Sequence, residues 1–213
     1  MILLNPKKYS REISDDRSRE IMQKTIQFFE NRGLAKLKED FHERTWYADF
    51  IEFMAEEKVL ATMMTNAENG DADARWDTSR VCEFAEILGY YGLCYWYVYQ
   101  VSVLGIGPIW MSENPAMKKL AAQYLQDGEI FAFGLSEKEH GADIYTTDMV
   151  VTPSGEGVYR VSGSKYYIGN ANQARMVSTF ARMADTGEYL FFVADSQKDG
   201  YKLVKNVVNS QSY

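Results

Sequence analysis

The chain has 213 residues, 46% hydrophobic and 25% charged, with a net charge of -7 and a pI of about 5.0. This is globular composition, long enough to bury a sizeable core, and it excludes global disorder. No basic stripe or Lys/Arg run is available to neutralise phosphates, so nucleic acid is not an expected partner.

The N-terminal stretch MILLNPKKYSREISDD holds an apolar run too short for a signal peptide. Ser14 is a candidate N-cap, with Asp15 and Asp16 in the first turn, where the helix dipole favours negative charge. Ile21, Met22, Ile26 and Phe29 then recur at helical spacing until Asn31-Arg32-Gly33 breaks the pattern. A second amphipathic helix is expected over Tyr47 to Met64, followed by a polar loop from Asn66 to Asp77. Thr78 or Ser79 is expected to cap the next helix. Its residues Phe84, Ile87, Leu88, Leu93, Trp96 and Val98 are apolar nearly all round, as in a helix buried among others. The apolar stretch from Leu88 to Trp110 is interrupted by Gly89, Gly92, Gly105, Gly107 and Pro108. It reads as a core helix and not as a membrane span. A soluble, cytoplasmic protein without a membrane partner is the expectation. Asn114-Pro115 opens a further helix that ends at Asp127-Gly128.

The period changes near residue 130. β-prone runs follow at Ile130 to Leu135, Thr147 to Thr152, Met176 to Arg182, Tyr189 to Ala194 and Lys202 to Val208. Val158 to Val161 and Tyr166 to Ile168 read as a hairpin around Ser162-Gly163-Ser164. Helices first and strands second mean an α+β fold: an N-terminal helical domain over 1–130 and a β domain over 131–213.

Metal chemistry finds no signature. Cys82 and Cys94 fit neither a zinc knuckle nor a C-x-x-C motif and read as buried free thiols. His42 and His140 stand far apart, and no His/Cys/Asp cluster has metal-ligand spacing.

Three segments carry the functional signal: NPAMKKLAAQYLQDGEIFAFGLSEKEHGAD (114–143), GVYRVSGSKYYIGN (157–170) and RMVSTFAR (175–182). In this order and spacing they resemble the acyl-CoA dehydrogenase family. There a helix ending in Asp/Ser-Gly leads through an apolar strand into a Thr-Glu-Pro-x-x-Gly-Ser-Asp loop. A Gly-x-Lys-x-aromatic-Ile-Thr-Asn segment and a strand ending Ala-Arg follow. The resemblance implies a helical bundle followed by a mostly antiparallel, barrel-like β domain, with FAD as cofactor. It also implies that the family's closing helical domain, which supplies the catalytic base, lies outside a sequence that ends at Tyr213 within the β domain.

The resemblance implies a flavin contact for seven positions. Phe133, Leu135 and Ser136 match the first loop's contact to the pyrimidine edge, with Ser136 keeping the family's hydroxyl. Ala142 stands where the family has a pyrophosphate-binding Ser, and Lys138 where it has Pro. Tyr167 replaces the usual stacking Trp, followed by Ile168. Gly169 replaces the Thr whose hydroxyl and N–H address the hydride-accepting nitrogen. The implied reaction is oxidation of an acyl-CoA to the enoyl-CoA, with electrons passing to an electron-transfer flavoprotein and a homo-oligomeric assembly. Rival readings are a flavin oxidase or monooxygenase of the same fold and a non-catalytic scaffold subunit. Glu56, Glu57, Glu137 and Glu139 carry little weight as bases. The aromatic run from Tyr90 to Tyr99 fits either core packing or a pocket for a ring-bearing acyl group.

Overall fold

The computed structural model describes residues 15–207. They divide into two compact units, one of residues 15–100 with 113–129 and one of 101–112 with 130–207.

The first unit is helical: α1 (Asp16–Arg32), α2 (Leu34–Glu43), α3 (Ala48–Glu56), α4 (Val59–Met64), α5 (Thr78–Tyr91), the first part of α6 (Leu93–Met111) and α7 (Pro115–Gln126). Asp15 caps α1, its carboxylate accepting the Ser18 N–H at 2.6 Å. Ser14, the expected cap, lies outside the described residues. The helix expected over Tyr47 to Met64 is two helices, because Lys58 takes a left-handed turn at φ 53°. The next helix also divides, at Gly92, and its cap is Asp77 in place of Thr78 or Ser79, accepting the Ser79 N–H at 2.9 Å. Asn114 caps α7 as expected, accepting the Met117 N–H at 3.0 Å.

Rings fill the helical core. Phe29 stacks on Tyr91 with centroids 4.6 Å apart and meets Tyr95 edge-on at 4.8 Å, while Tyr95 also meets Phe50 at 5.1 Å. Tyr91 and Tyr95 of the aromatic run are thus packing residues, each ring pair adding about 0.5–1.5 kcal/mol beyond its burial. Arg80 is enclosed as well. It donates to Ser18 Oγ at 3.0 Å and to the carbonyls of Thr62, Asp73 and Arg75, so its charge is solvated by the backbone of α4 and of the loop before α5. Cys94 is buried as expected. Cys82 is exposed, because it lies on the side of α5 away from Phe84, Ile87 and Leu88. No described helix is long and apolar enough to cross a membrane.

The second unit holds β1 (Phe131–Gly134), a 3-10 turn (Ile144–Thr146), β2 (Val150–Gly155), β3 (Val158–Ser162), β4 (Met176–Met183) and β5 (Tyr189–Asp195). The α+β order is as expected. β4 is the hub of a mixed sheet: β1 runs parallel to its first half, β2 parallel to its end, and β5 antiparallel along its length. Antiparallel pairings predominate, through β2–β3 and β4–β5. The sheet is open, not barrel-like, since residues 201–207 are irregular and no described strand there joins the edges. Nor do Tyr166 to Ile168 form a hairpin with β3. The partner of β3 is β2, with Val151 opposite Val161, and residues 163–169 form a loop. Gly163 at φ 151° and Tyr167 at φ 58° bend that segment away from strand geometry.

Residues 101–112, the end of α6, pack directly on β1. Ser102 Oγ accepts the Phe131 N–H at 3.2 Å, and Ser178 Oγ donates to the Gly105 carbonyl at 2.5 Å. A Cβ on Gly105 would lie 2.6–2.9 Å from the backbone of Ala132. Gly105→Ala should therefore destabilise, by about 1–3 kcal/mol, despite alanine's better helix propensity. At Gly107 nothing lies within 4 Å of the added atom, so Gly107→Ala should stabilise by up to about 1 kcal/mol. Paired urea melts read the difference in sign. Two variants of equal stability would mean that helix and strand do not touch at Gly105.

Candidate functional site

Two loops of the second unit meet. One follows β1 from Leu135 to Asp143; the other follows β3 from Gly163 to Arg175. They are joined backbone to backbone: the Tyr166 N–H donates to the Ser136 carbonyl at 2.9 Å, and Ser136 Oγ donates back to the Tyr166 carbonyl at 2.8 Å. The second loop is anchored at Asn170, whose side chain donates to the Phe131 carbonyl at 3.0 Å and to Ser102 Oγ at 3.3 Å. Asn170 adopts φ 61°, a region that Asn tolerates better than most residues.

The motif residues fall around this junction. Phe133 sits on β1 opposite Ser178, its ring stacked on Phe191 with centroids 5.5 Å apart. Leu135 and Ser136 begin the first loop, half-buried. Tyr167 is 69% exposed and left-handed at φ 58°, its ring 4.4 Å from that of Tyr166 at a steep angle. A left-handed bulky residue is strained by roughly 1–2 kcal/mol, and such strain concentrates at functional sites. Ile168 and Gly169 are half-buried behind it. Ala142 stands exposed on the outer turn of the first loop. Ser136 and Tyr167 are thus brought to one junction, while Ala142 lies beyond it along its loop.

An ion pair missed by motif reading lies beneath the junction. Lys165 Nζ donates to Glu137 Oε1 at 2.7 Å, to the Leu135 carbonyl at 3.0 Å and to Thr147 Oγ1 at 3.2 Å. Both side chains are almost fully enclosed, 8% and 6% exposed. Glu137 further accepts from Thr147 Oγ1 and from the N–H groups of Asp148 and Met149. Burial pushes its carboxyl up, but Lys165, Thr147 and the Asp148 N–H outweigh it and hold the pKa at about 2. Opposite charges 28 positions apart give no local signal of this pairing.

His140 closes the outer side of the first loop. Its Nδ1 lies 2.9 Å from Asp143 Oδ2 and 2.8 Å from Thr146 Oγ1, and its Nε2 lies 3.5 Å from Asp148 Oδ2. The hydrogen bond to Asp143 raises the imidazole's pKa, and the charges of Asp143, Asp148 and Glu137 add to it. Thr146 and then His140 hold Asp143 at about 2. A raised folded pKa means stabilisation present below the unfolded value near 6.5 and lost as pH rises through the folded value. The His140 ring protons should accordingly titrate above 6.5 by NMR, and Asp143→Asn should move the midpoint down. A midpoint at or below 6.5 would contradict the contact. Ligand-type atoms of Glu137, His140 and Asp148 lie within 4.8 Å of one another. The ammonium on Glu137 makes this a charge network already neutralised by Lys165 and suits it poorly to a metal.

Helices leading into an open mixed sheet, with two bonded loops carrying an exposed aromatic ring, define the class of protein. The fold is that of the helical and β domains of the acyl-CoA dehydrogenases. Butyryl-CoA dehydrogenase from Megasphaera elsdenii superposes with a TM-score of 0.77 at 22% identity, over 90% of this chain and 51% of that one. An acyl-CoA dehydrogenase from Bacillus anthracis, solved with FAD, gives 0.71 at 20% identity, over 93% of this chain and 33% of that one. A curated relative, the short-chain specific acyl-CoA dehydrogenase of Megasphaera elsdenii, is 32% identical over 75 residues, 35% of this chain and 20% of the relative. No family model matches the chain. The chain spans about half the length of the first of these structures and a third of the second.

Proposed function

We propose that the chain is the helical and flavin-ring portion of a flavin-dependent acyl-CoA dehydrogenase that binds FAD. The observation that carries this reading is the bonded loop junction, which holds an exposed aromatic ring, Tyr167, next to a polar backbone edge at Leu135 and Ser136. An isoalloxazine is flat, apolar on its faces and polar along one edge, and the junction offers both kinds of surface. When bound, FAD supplies the hydride acceptor.

The chain's own residues bind and orient. Tyr167 covers one ring face. Ser136 directs its hydroxyl proton to the Tyr166 carbonyl, so its oxygen is left to accept a hydrogen bond from the ring's edge N–H. Gly169 offers a backbone N–H toward the hydride-accepting nitrogen, without the hydroxyl that Thr would add. Glu137 is no base for the proton beside the thioester carbonyl. At a pKa of about 2 it is too weakly basic, and its oxygens are already hydrogen-bonded. That base belongs, on this reading, to the helical domain that follows the β domain in the family. Acyl-CoA as substrate, an electron-transfer flavoprotein as acceptor, a homo-oligomer and a cytoplasmic location are parts of the same proposal.

The test is anaerobic titration of the flavin-loaded, full-length protein with acyl-CoA thioesters of graded chain length. Bleaching of the flavin by at least one of them is the expected result. A flavin that no thioester reduces would sink the reading, and oxygen consumption without an added acceptor would turn it toward an oxidase.

A further inference from the structure

Three bonds from one ammonium join the second loop to the first loop and to the foot of β2, beside the Ser136–Tyr166 junction. Lys165 belongs to the second loop. Its contacts are the Leu135 carbonyl and Glu137 Oε1 of the first loop, and Thr147 Oγ1 at the foot of β2. Leu135 and Glu137 flank Ser136, while Tyr166 and Tyr167 directly follow Lys165. The ammonium is thus one residue from each partner of the loop junction and two from the exposed ring. Little water reaches it, so these bonds are not exchanged for hydration as surface ion pairs are. Its Nζ also lies 5.9 Å from the centre of the Phe180 ring on β4. The Phe180 ring lies next to Phe191, which stacks on Phe133.

We propose that Lys165 is a positioning residue for the flavin site: it fixes the spacing between the loop that carries Ser136 and the loop that carries Tyr167. This rests on the flavin reading above and deepens it. An aromatic face and a hydrogen-bonding edge can serve one rigid ring only if their separation is held, and displacement by about 1 Å is enough to degrade such a site. The Ser136–Tyr166 bonds alone form a hinge, about which the two loops can pivot. Lys165 adds bonds on both sides of that hinge and stops the pivot.

Removing Lys165 alone strands a buried carboxylate, so the informative variant is Lys165→Met with Glu137→Gln. It removes the charge from both partners at similar volume, and the new amide can still accept the Asp148 N–H through its oxygen while its NH2 donates to Thr147 Oγ1. In the full-length protein, amide exchange at Tyr166 and Glu137 should rise together by about tenfold, while the β4 amides paired to β5 keep wild-type protection. The folded variant should retain FAD about tenfold less tightly, with altered visible circular dichroism of the bound flavin. Unchanged exchange at both loops would overturn the proposal. So would a rise shared equally by β4, which marks a general structural role, and so would wild-type FAD retention with an unaltered dichroic spectrum. If the wild type takes up no FAD, the flavin reading itself falls and the proposal with it. That case is distinguished by the wild-type control, before any variant is compared.

Discussion

Lys165→Met lowers the free energy of unfolding by about 3–5 kcal/mol, the scale for breaking a buried ion pair from one side. The variant leaves Glu137 ionised with its cation gone, and the carboxylate has little water to take its place. Lys165→Met/Glu137→Gln should recover most of the loss, because no uncompensated charge remains. Acid reports on the same pair in the unaltered protein. The folded pKa of Glu137 is depressed from an ordinary 4.5 to about 2, so its contribution is complete above 4.5 and disappears as pH falls through 2. The shift corresponds to about 3 kcal/mol, and the acid limb of the stability curve should flatten by that order in the double variant. Urea melts from pH 7 to pH 3 on the three proteins make the measurement. A single variant within about 1 kcal/mol of wild type would mean that the pair is solvated and does not join the loops.

Tyr167→Ala weakens FAD retention by about 1–3 kcal/mol, or roughly fivefold to more than a hundredfold in Kd, the scale for stacking a flat heterocycle on an aromatic side chain. Fold stability should change little, because the ring is 69% exposed. Tyr167→Trp should bind at least as well, since the backbone already holds a bulky side chain at φ 58°. Equilibrium dialysis of flavin-stripped, full-length proteins separates the three. Equal affinity in wild type and Tyr167→Ala would remove the ring from the site.

Much of the fold was legible because its signals are local. The change from helical spacing to short β-prone runs near residue 130 marks where the strands begin, and four of the expected runs overlap β1, β2, β4 and β5. The misreadings come from non-local or atypical choices. Lys58 breaks a helix in a left-handed turn, which lysine sequence context does not announce. Tyr166 to Ile168 have strand composition, but Val161 is already paired with Val151, leaving that segment as a loop. α2 went unread because few apolar residues mark it, and only Leu37 and Asp40 are buried. Residues 101–112 continue α6 and yet pack on the sheet, a division that helical periodicity cannot reveal.

The candidate site divides along the same line. Ser136 and Tyr167 were reachable because ordered motifs name them. The parts that hold them in place were not, since Lys165 and Glu137, or Asn170 and Phe131, meet only after the sheet forms. Glu137 shows the difference in kind: a loop glutamate by sequence, it is an enclosed anion paired with Lys165 of the other loop.

The flavin site is the central claim, and the visible spectrum of the freshly purified full-length product of this reading frame tests it most directly. The account predicts the two-band absorption of an oxidised flavin, with FAD near one per chain after denaturation and release. A colourless protein that takes up no FAD on reconstitution, while its urea melt remains cooperative, would contradict it.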